Sequence, residues 1–159
     1  MNVMKKFLFA AMAVVMLASC SEDAPFSYRG LALSMPASQF ADSMMARGFA
    51  IDSAASDSGR IMVFANPAEK YRVLLAMEGE KVQAVQENYK LSTNDSTSMM
   101  WQQLRDGLEK ELDAWPNCPV LKDNHKIAKF DAETGLITIE MKNTYTPTLS
   151  VLYQPKKGE

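Results

Sequence analysis

The chain has 159 residues, 47% of them hydrophobic, and carries 17 lysines and arginines against 19 aspartates and glutamates. Its net charge of −2 and the mixing of bases with acids, as in Glu109-Lys110-Glu111, argue against nucleic acid as a partner, because a phosphate backbone requires clustered cations. With His125 as its single histidine, the chain also lacks the residues for a histidine-rich metal site.

The first segment has the parts of a bacterial lipoprotein signal peptide in the right order. Lys5 and Lys6 precede an apolar run at residues 7–17, and Leu17-Ala18-Ser19-Cys20 resembles a lipobox. The run is too short for a permanent transmembrane helix, which needs ~20 apolar residues. We therefore predict that residues 1–19 are removed and that Cys20 is the lipid attachment residue. An ordinary secretory signal cleaved elsewhere is the alternative.

Lipid attachment at Cys20 predicts the location of the protein. Several acyl chains on one residue anchor it stably, because each buried CH₂ contributes ~0.8 kcal/mol. We expect an anchor in the outer membrane of a Gram-negative bacterium, on the periplasmic or the cell-surface face. Ser21-Glu22-Asp23 resembles the surface-export signal of Bacteroidota-type lipoproteins, and an ordinary solvated tether explains it equally well. Once Cys20 is acylated, Cys118 is the only thiol left, so no intramolecular disulfide can form.

Removal of the signal peptide leaves enough chain for one domain with a hydrophobic core. We predict a tether at residues 20–27 and a single domain at residues 28–159. The first helix is predicted over residues 36–47, where Phe40 and Met44 share one face. Gly48 is expected to end that helix in a left-handed conformation.

Strand patterns follow the first helix. Residues 49–51 begin one strand, and residues 60–65 are a short apolar run. The alternation of Tyr71, Val73, Leu75 and Met77 with polar residues is typical of a half-buried strand. Residues 78–80 interrupt the run, and Val82, Ala84 and Gln86 continue toward Tyr89, so we predict an antiparallel hairpin.

The second helix has the clearest pattern in the chain. Its apolar residues recur at intervals of three and four: Trp101, Leu104, Leu108, Leu112 and Trp115. Residues 95–98 offer N-caps, Pro116 ends the helix, and the loop that follows, up to Lys126, has no predicted strand.

Two further strands are predicted at residues 137–141 and 149–153, with a turn or bulge at residues 143–147. This order predicts an α+β fold in which two helices pack on one face of an antiparallel sheet.

Several of these positions resemble a group of small exported lipoproteins of Bacteroidota, mostly of unassigned function. The likeness lies in Tyr28-Arg29-Gly30-Leu31, Met35-Pro36, Arg47-Gly48-Phe49 and Trp101. It implies a helix-plus-sheet module similar to those of the outer-membrane assembly lipoprotein BamE and the β-lactamase inhibitor protein. In those proteins the sheet face or its loops bind other proteins, which is a likeness of fold alone.

The sequence offers little for catalysis. Cys118 and His125 would have to act as nucleophile and base of a thiol hydrolase, but both fall in a loop rich in proline and charge, which favours structural roles. We therefore predict no catalytic residue, no metal ligand and no cofactor.

Three short motifs resemble the O-glycosylation acceptor of exported Bacteroidota proteins: Asp42-Ser43-Met44, Asp52-Ser53-Ala54 and Asp95-Ser96-Thr97. Ser53 and Ser96 fall in predicted loops, where an enzyme can reach them. Ser43 lies inside the first predicted helix and is the weakest candidate. Coincidence is the equal alternative, because a serine-rich chain generates such matches by chance.

These observations favour a tethered protein that acts by binding. We predict a non-catalytic protein-binding module of the cell envelope, with the membrane and another envelope protein as partners and an oligomeric state that the sequence does not define. The alternative is a surface-exposed lipoprotein that captures a glycan or a small nutrient.

Overall fold

The computed structural model describes residues 25–57 and 59–156, and strand is its main component. Strand accounts for 45% and helix for 22% of the structure. These residues form two helices, α1 (Ala37–Ala46) and α2 (Asn94–Leu112). In chain order the strands are β1 (Ser27–Tyr28), β2 (Leu31–Ala32), β3 (Ala50–Ile51), β4 (Ile61–Ala65), β5 (Tyr71–Glu78), β6 (Lys81–Tyr89), β7 (Asn117–Lys122), β8 (His125–Asp131), β9 (Gly135–Lys142) and β10 (Thr148–Pro155).

One antiparallel sheet of eight strands dominates the fold, in the order β3-β4-β5-β6-β10-β9-β8-β7. The strands β3 to β6 form a first meander, and α2 then carries the chain to the far edge. The strands β7 to β10 return as a second meander, and β10 joins the two by pairing with β6. The predicted strands at residues 137–141 and 149–153 are confirmed as β9 and β10, and β1 and β2 form a separate small hairpin.

The predicted α+β class, with two helices packed on one face of a sheet, is wrong. The structure is a β-rich fold built around a large antiparallel sheet. Much of the difference comes from β7 and β8, for which the sequence predicted no strands. In β7, Pro119 and a register shift between Asn117 and Val120 break the alternation. In β8, charged residues fall on both faces of the strand, so the alternation of apolar and polar residues that is typical of a strand is weak.

The first helix confirms its prediction to within one residue at each end. Gly48 has a φ of 88°, and the N–H groups of Gly48 and Phe49 donate to carbonyls of the last helical turn, which closes it. No side chain within the helix caps its N-terminus. Glu80 from the β5–β6 turn does so instead, because its backbone carbonyl accepts from Ala37 and its carboxylate from Ser38. These bonds from Ser38 lower the pKa of Glu80.

The second helix begins before its predicted caps at residues 95–98 and ends before Trp115. Thr93 is the N-cap, and its hydroxyl accepts from the N–H of Ser96 in a capping box. Asp113, with a φ of 49°, turns the chain out of the helical path. Trp115 is therefore 89% exposed, and its predicted place in the core is wrong.

The predicted hairpin is confirmed as β5 and β6, but the prediction of which β6 side chains face the core is wrong. The pairing of β5 with β6 shifts register next to Ala76. Such a bulge reverses which side chains face the core. As a result Val85 and Glu87 are buried, in place of the predicted Ala84 and Gln86.

Most buried side chains of the sheet point to one side, which we call the inner face, and share one core with the buried residues of both helices. Val63 of β4, opposite Leu74, is buried on the other side of the sheet. Alternate residues point to the outer face. Phe26 packs against this core, and its ring lies so close to Gly135 that an added Cβ would overlap it. Phe26 and Ser27, which the sequence assigned to the tether, are thus part of the folded structure.

Substitution of Gly135 tests this packing. We expect Gly135→Ala to lower the free energy of unfolding by about 1–3 kcal/mol, because the new Cβ displaces the ring of Phe26. Gly107→Ala is the matched control: an added Cβ meets nothing within 4 Å in the interior of α2. It should raise the free energy of unfolding by about 0.5–1 kcal/mol. Chemical denaturation measures both, and effects of the same sign would contradict the packing.

Candidate functional site

A carboxylate lies at the centre of the inner face. Glu87 is in β6, opposite Val73 of β5 and Val151 of β10, and its side chain is 0% exposed. Burying a charge costs several kcal/mol unless polar partners replace the lost water. The partners come from the N-terminal hairpin and from β6 itself.

Four hydrogen bonds hold this carboxylate. Oε1 accepts from the Tyr28 hydroxyl at 2.8 Å and from Arg29 Nε. Oε2 accepts from Arg29 Nη2 at 3.2 Å and from the Tyr89 hydroxyl at 2.8 Å. The guanidinium thus donates to both carboxylate oxygens in a bidentate, charge-assisted geometry, which we call the fork. We call Glu87, Tyr28, Arg29 and Tyr89 the Glu87 cluster.

The β1–β2 turn brings Arg29 to the cluster. Arg29 and Gly30 have φ values of 45° and 80°, the pattern of a type I′ turn. Glycine adopts this region freely, but a long side chain does so at a cost. The fork to Glu87 and a bond of 3.1 Å from Arg47 Nη1 to the carbonyl of Arg29 hold the turn in place.

Burial and the charge of Glu87 set the proton affinities around it. Burial raises the pKa of four phenols near the carboxylate: Tyr28, Tyr71, Tyr89 and Tyr153. Burial alone would lower the pKa of Arg29, but the hydrogen bond and charge of Glu87 outweigh it and raise that pKa. The guanidinium carbon of Arg29 also lies 5.1 Å from the ring centre of Tyr71.

The Glu87 cluster is a structural clasp. Each carboxylate oxygen already accepts two hydrogen bonds, which leaves no free position for a reacting proton. Its effect is to tie the N-terminal hairpin to the middle strand of the sheet. The sequence pattern does not single out Glu87, because the alternation predicted for β6 places Gln86 on the buried face instead. A carboxylate between Val85 and Tyr89, at the two-residue spacing of a buried face, is the signal that reveals it.

Two cavities flank Phe26 where the described chain begins. One, of about 340 Å³, lies beside α2 and is lined by Leu104, Leu108 and Arg29. The other, of about 1000 Å³, lies at the β5–β6 turn and is lined mainly by apolar atoms. Pro25 and Phe26 border both cavities, so the N-terminal segment separates them.

The outer face of the sheet is a second candidate surface. Register places two cross-strand rows on it: Arg72, Asn88, Ser150, Glu140 and Ile127 in one, and Leu74, Gln86, Leu152, Thr138 and Lys129 in the other. All are half-buried except the exposed Lys129. Aliphatic, amide, hydroxyl and charged groups are thus mixed across this face, and neither row contains an aromatic ring.

Two ion pairs flank these rows. Arg72 lies 3.4 Å from Asp52 on the β5 side. On the β9 side, Glu140 Oε1 contacts His125 Nε2 at 2.9 Å and Lys142 Nζ at 3.0 Å. Burial alone would raise the pKa of Glu140, but these hydrogen bonds outweigh it and lower that pKa.

The structure does not bring Cys118 and His125 together. His125 lies opposite Lys122, four residues beyond Cys118 on β7, which is ~13 Å along a strand. The imidazole instead contacts Glu140. This geometry gives no pairing of thiol and base. Among the described residues, no three side chains of Asp, Glu, His or Cys are grouped so that they could hold a metal ion.

The three candidate glycosylation serines differ in accessibility. Ser53 lies in an exposed turn between β3 and β4. The predicted loop position of Ser96 is wrong, because Ser96 lies in the first turn of α2. It is half-buried, and its hydroxyl donates to the carbonyl of Thr93 at 2.9 Å within the capping box. Ser43 is half-buried in α1, and its hydroxyl donates to the carbonyl of Gln39 at 2.9 Å. Ser53 is therefore the best placed acceptor of the three.

The predicted lipid attachment residue, Cys20, lies outside the described residues, but the comparison with known families covers it. Residues 4–21 match the prokaryotic membrane lipoprotein lipid attachment site. The chain is a membrane-anchored bacterial lipoprotein. No curated protein and no solved structure matches it. The resemblance to Bacteroidota lipoproteins, BamE and the β-lactamase inhibitor protein therefore gains no support from these comparisons.

Neither helix within residues 25–57 and 59–156 combines the length and the hydropathy that a membrane-spanning helix needs.

Removal of the buried charge tests the clasp. We expect Glu87→Gln to lower the free energy of unfolding by about 2–4 kcal/mol, because Arg29 loses its ionic partner next to the core. Glu140→Gln makes the same chemical change at a half-exposed pair and should cost about 0–1 kcal/mol. Urea denaturation measures the free energy of unfolding of both variants. Equal decreases would show that the buried carboxylate stabilises the fold no more than the half-exposed one does.

Alkaline titration tests the raised phenol pKa values. A phenol whose pKa is higher in the folded state stabilises the fold below its ordinary value, near 10, and loses that contribution as the pH rises further. We expect cooperative unfolding above pH ~10, with tyrosinate absorbance and near-ultraviolet circular dichroism changing together. The variant Tyr28→Phe should show a shallower dependence. Stepwise ionisation of the buried tyrosines in a protein that stays folded would contradict this prediction.

Proposed function

We propose that this lipoprotein is a non-catalytic protein-binding module of the cell envelope, anchored through Cys20 to the outer membrane of a Gram-negative bacterium. Its binding surface is the outer face of the sheet. The observation that carries the proposal is the composition of the two outer rows, in which half-buried aliphatic side chains are mixed with amides, hydroxyls and ion pairs.

The size of this face suits a protein partner. The five neighbouring strands β5, β6, β10, β9 and β8 span ~24 Å across the sheet at their usual spacing. Seven residues extend ~24 Å along each strand. The projected area is roughly 600 Å², compared with about 800 Å² per partner in a standard interface. The described rows offer no aromatic platform for stacking a sugar ring.

The position of the anchor leaves this face accessible. Pro25 lies beside the β5–β6 and β8–β9 turns, at one end of the strands. From Cys20 to Pro25 is five residue steps, which span at most ~17 Å. A tether attached at that end holds the strands above the membrane, with the outer face directed sideways.

Site-specific photo-crosslinking in intact cells tests the proposal. A photoreactive amino acid at Ser150 or Thr138, both on the outer face, should give a discrete protein adduct. The same amino acid at Gln102, which is exposed on α2, is the matched control and should give none. The proposal fails if the outer-face positions give no adduct, or if Gln102 gives the same adducts.

A second function, surface capture of a glycan or a small nutrient, is favoured by the two cavities beside Phe26. Their volumes of about 340 and 1000 Å³ are those of small-molecule sites. The exposed aromatic residue Trp115 lies before β7 and the exposed Tyr145 lies in the β9–β10 loop, at the opposite end of the strands, so they do not form one stacking platform. Protease accessibility of intact cells separates the two functions, because only capture requires outward display.

A further inference from the structure

We propose that the partner at the outer face is a second copy of this chain, related by a two-fold axis that runs parallel to the strands between β6 and β10. This inference rests on the proposed function, which makes the outer face a protein-binding surface, and it adds the identity of the partner.

The first constraint is the anchor. Each chain leaves the sheet for the membrane at the end where Pro25 lies. A two-fold axis parallel to the strands places both of these ends on the same side of the dimer. Two lipid anchors then enter one bilayer within their reach of ~17 Å. A two-fold axis perpendicular to the strands would place the anchors at opposite ends and is incompatible with a single membrane.

The second constraint is the order of the strands. The axis lies in the middle of the sheet, so β5 of one copy faces β9 of the other, and β6 faces β10. The two-fold rotation leaves the height of each residue along the strand direction unchanged, so residues of one cross-strand row face residues of the same row in the second copy. Asn88 therefore faces Ser150 of the second copy, and Gln86 faces Leu152 of the second copy. Amides meet a hydroxyl and an aliphatic group close to the axis.

The third constraint is charge. The same operation sets Arg72 opposite Glu140 of the second copy, because both residues belong to one cross-strand row at equal distances from the axis. Asp52, beside Arg72, comes near Lys129 of the second copy. Each contact occurs twice in a symmetric dimer.

Area and anchoring make a dimer of this size feasible. Two faces of roughly 600 Å² bury about 1,200 Å² in total, at the lower end of specific interfaces. Confinement to one membrane raises the effective concentration of the copies and favours their association.

Pairing through the sheet edge is a weaker alternative. The exposed edge strand β7 contains Pro119, which lacks an N–H donor, and a register shift before Val120. Both features are devices that interrupt the addition of another strand. The other edge strand, β3, has only two residues.

Charge reversal in the full lipidated chain tests the dimer. Arg72→Glu and Glu140→Arg should each weaken association about tenfold, because each places like charges together at two symmetric contacts. The double variant restores both pairs and should recover association. Sedimentation of the detergent-solubilised protein measures the dimer, and circular dichroism verifies the fold of each variant. Recovery in the double variant also separates loss of contact from loss of fold.

Crosslinking in membranes supplies the second measurement. Leu152→Cys in a Cys118→Ser background places thiols next to the axis, where a short bismaleimide should join two copies. Gln102→Cys in the same background is the control and should remain monomeric.

A monomeric wild-type protein, or single and double charge variants that behave alike, would overturn the dimer. An outer-face adduct of a different mass would also overturn it and would leave the proposed function standing, whereas the absence of any adduct would remove both.

Discussion

The carboxylate of Glu87 is the constraint on which the rest of the structure depends. It is fully buried in β6, the last strand of the first meander and a central strand of the sheet, and a charge in that position needs partners with fixed geometry. The fork of Arg29 supplies them only if the β1–β2 turn lies directly over β6 in a left-handed conformation. That requirement positions the preceding residues, so that Phe26 comes to rest on Gly135. The position at which the described chain begins is thus set by a buried ion pair.

The topology explains how one anchored domain obtains two different surfaces. The helices and the N-terminal hairpin contribute to the core of the inner face, where Trp101 and Phe40 are buried. The outer face keeps its polar and aliphatic rows, and the return of β10 to β6 brings the two meanders into one continuous surface. Because the described chain begins at one end of the strands, at Pro25, binding along the sides of the strands is compatible with anchoring at that end. This is the geometry on which both proposals depend.

Local patterns predicted the elements that local forces determine. The first helix, the β5–β6 hairpin and the strands β9 and β10 follow from periodicity and from Gly48, and all are found. The fold class was wrong because β7 and β8 owe their structure to pairing across the sheet, which overrides Pro119 and a weak alternation. The Glu87 cluster was missed for a related reason. A single bulge near Ala76 reverses the phase of β6, and a bulge depends on tertiary packing that one sequence does not specify.

Hydrogen exchange in an Arg29→Lys variant tests the central role of the clasp most directly. Lysine keeps the charge but cannot form the fork to Glu87. The amide of Leu33, which donates to the carbonyl of Phe26, reports on the N-terminal segment, and the amide of Ile139 reports on the sheet. We expect Leu33 to lose protection in the variant by local opening while Ile139 remains protected. Unchanged protection at Leu33, or equal loss at both amides, would contradict it.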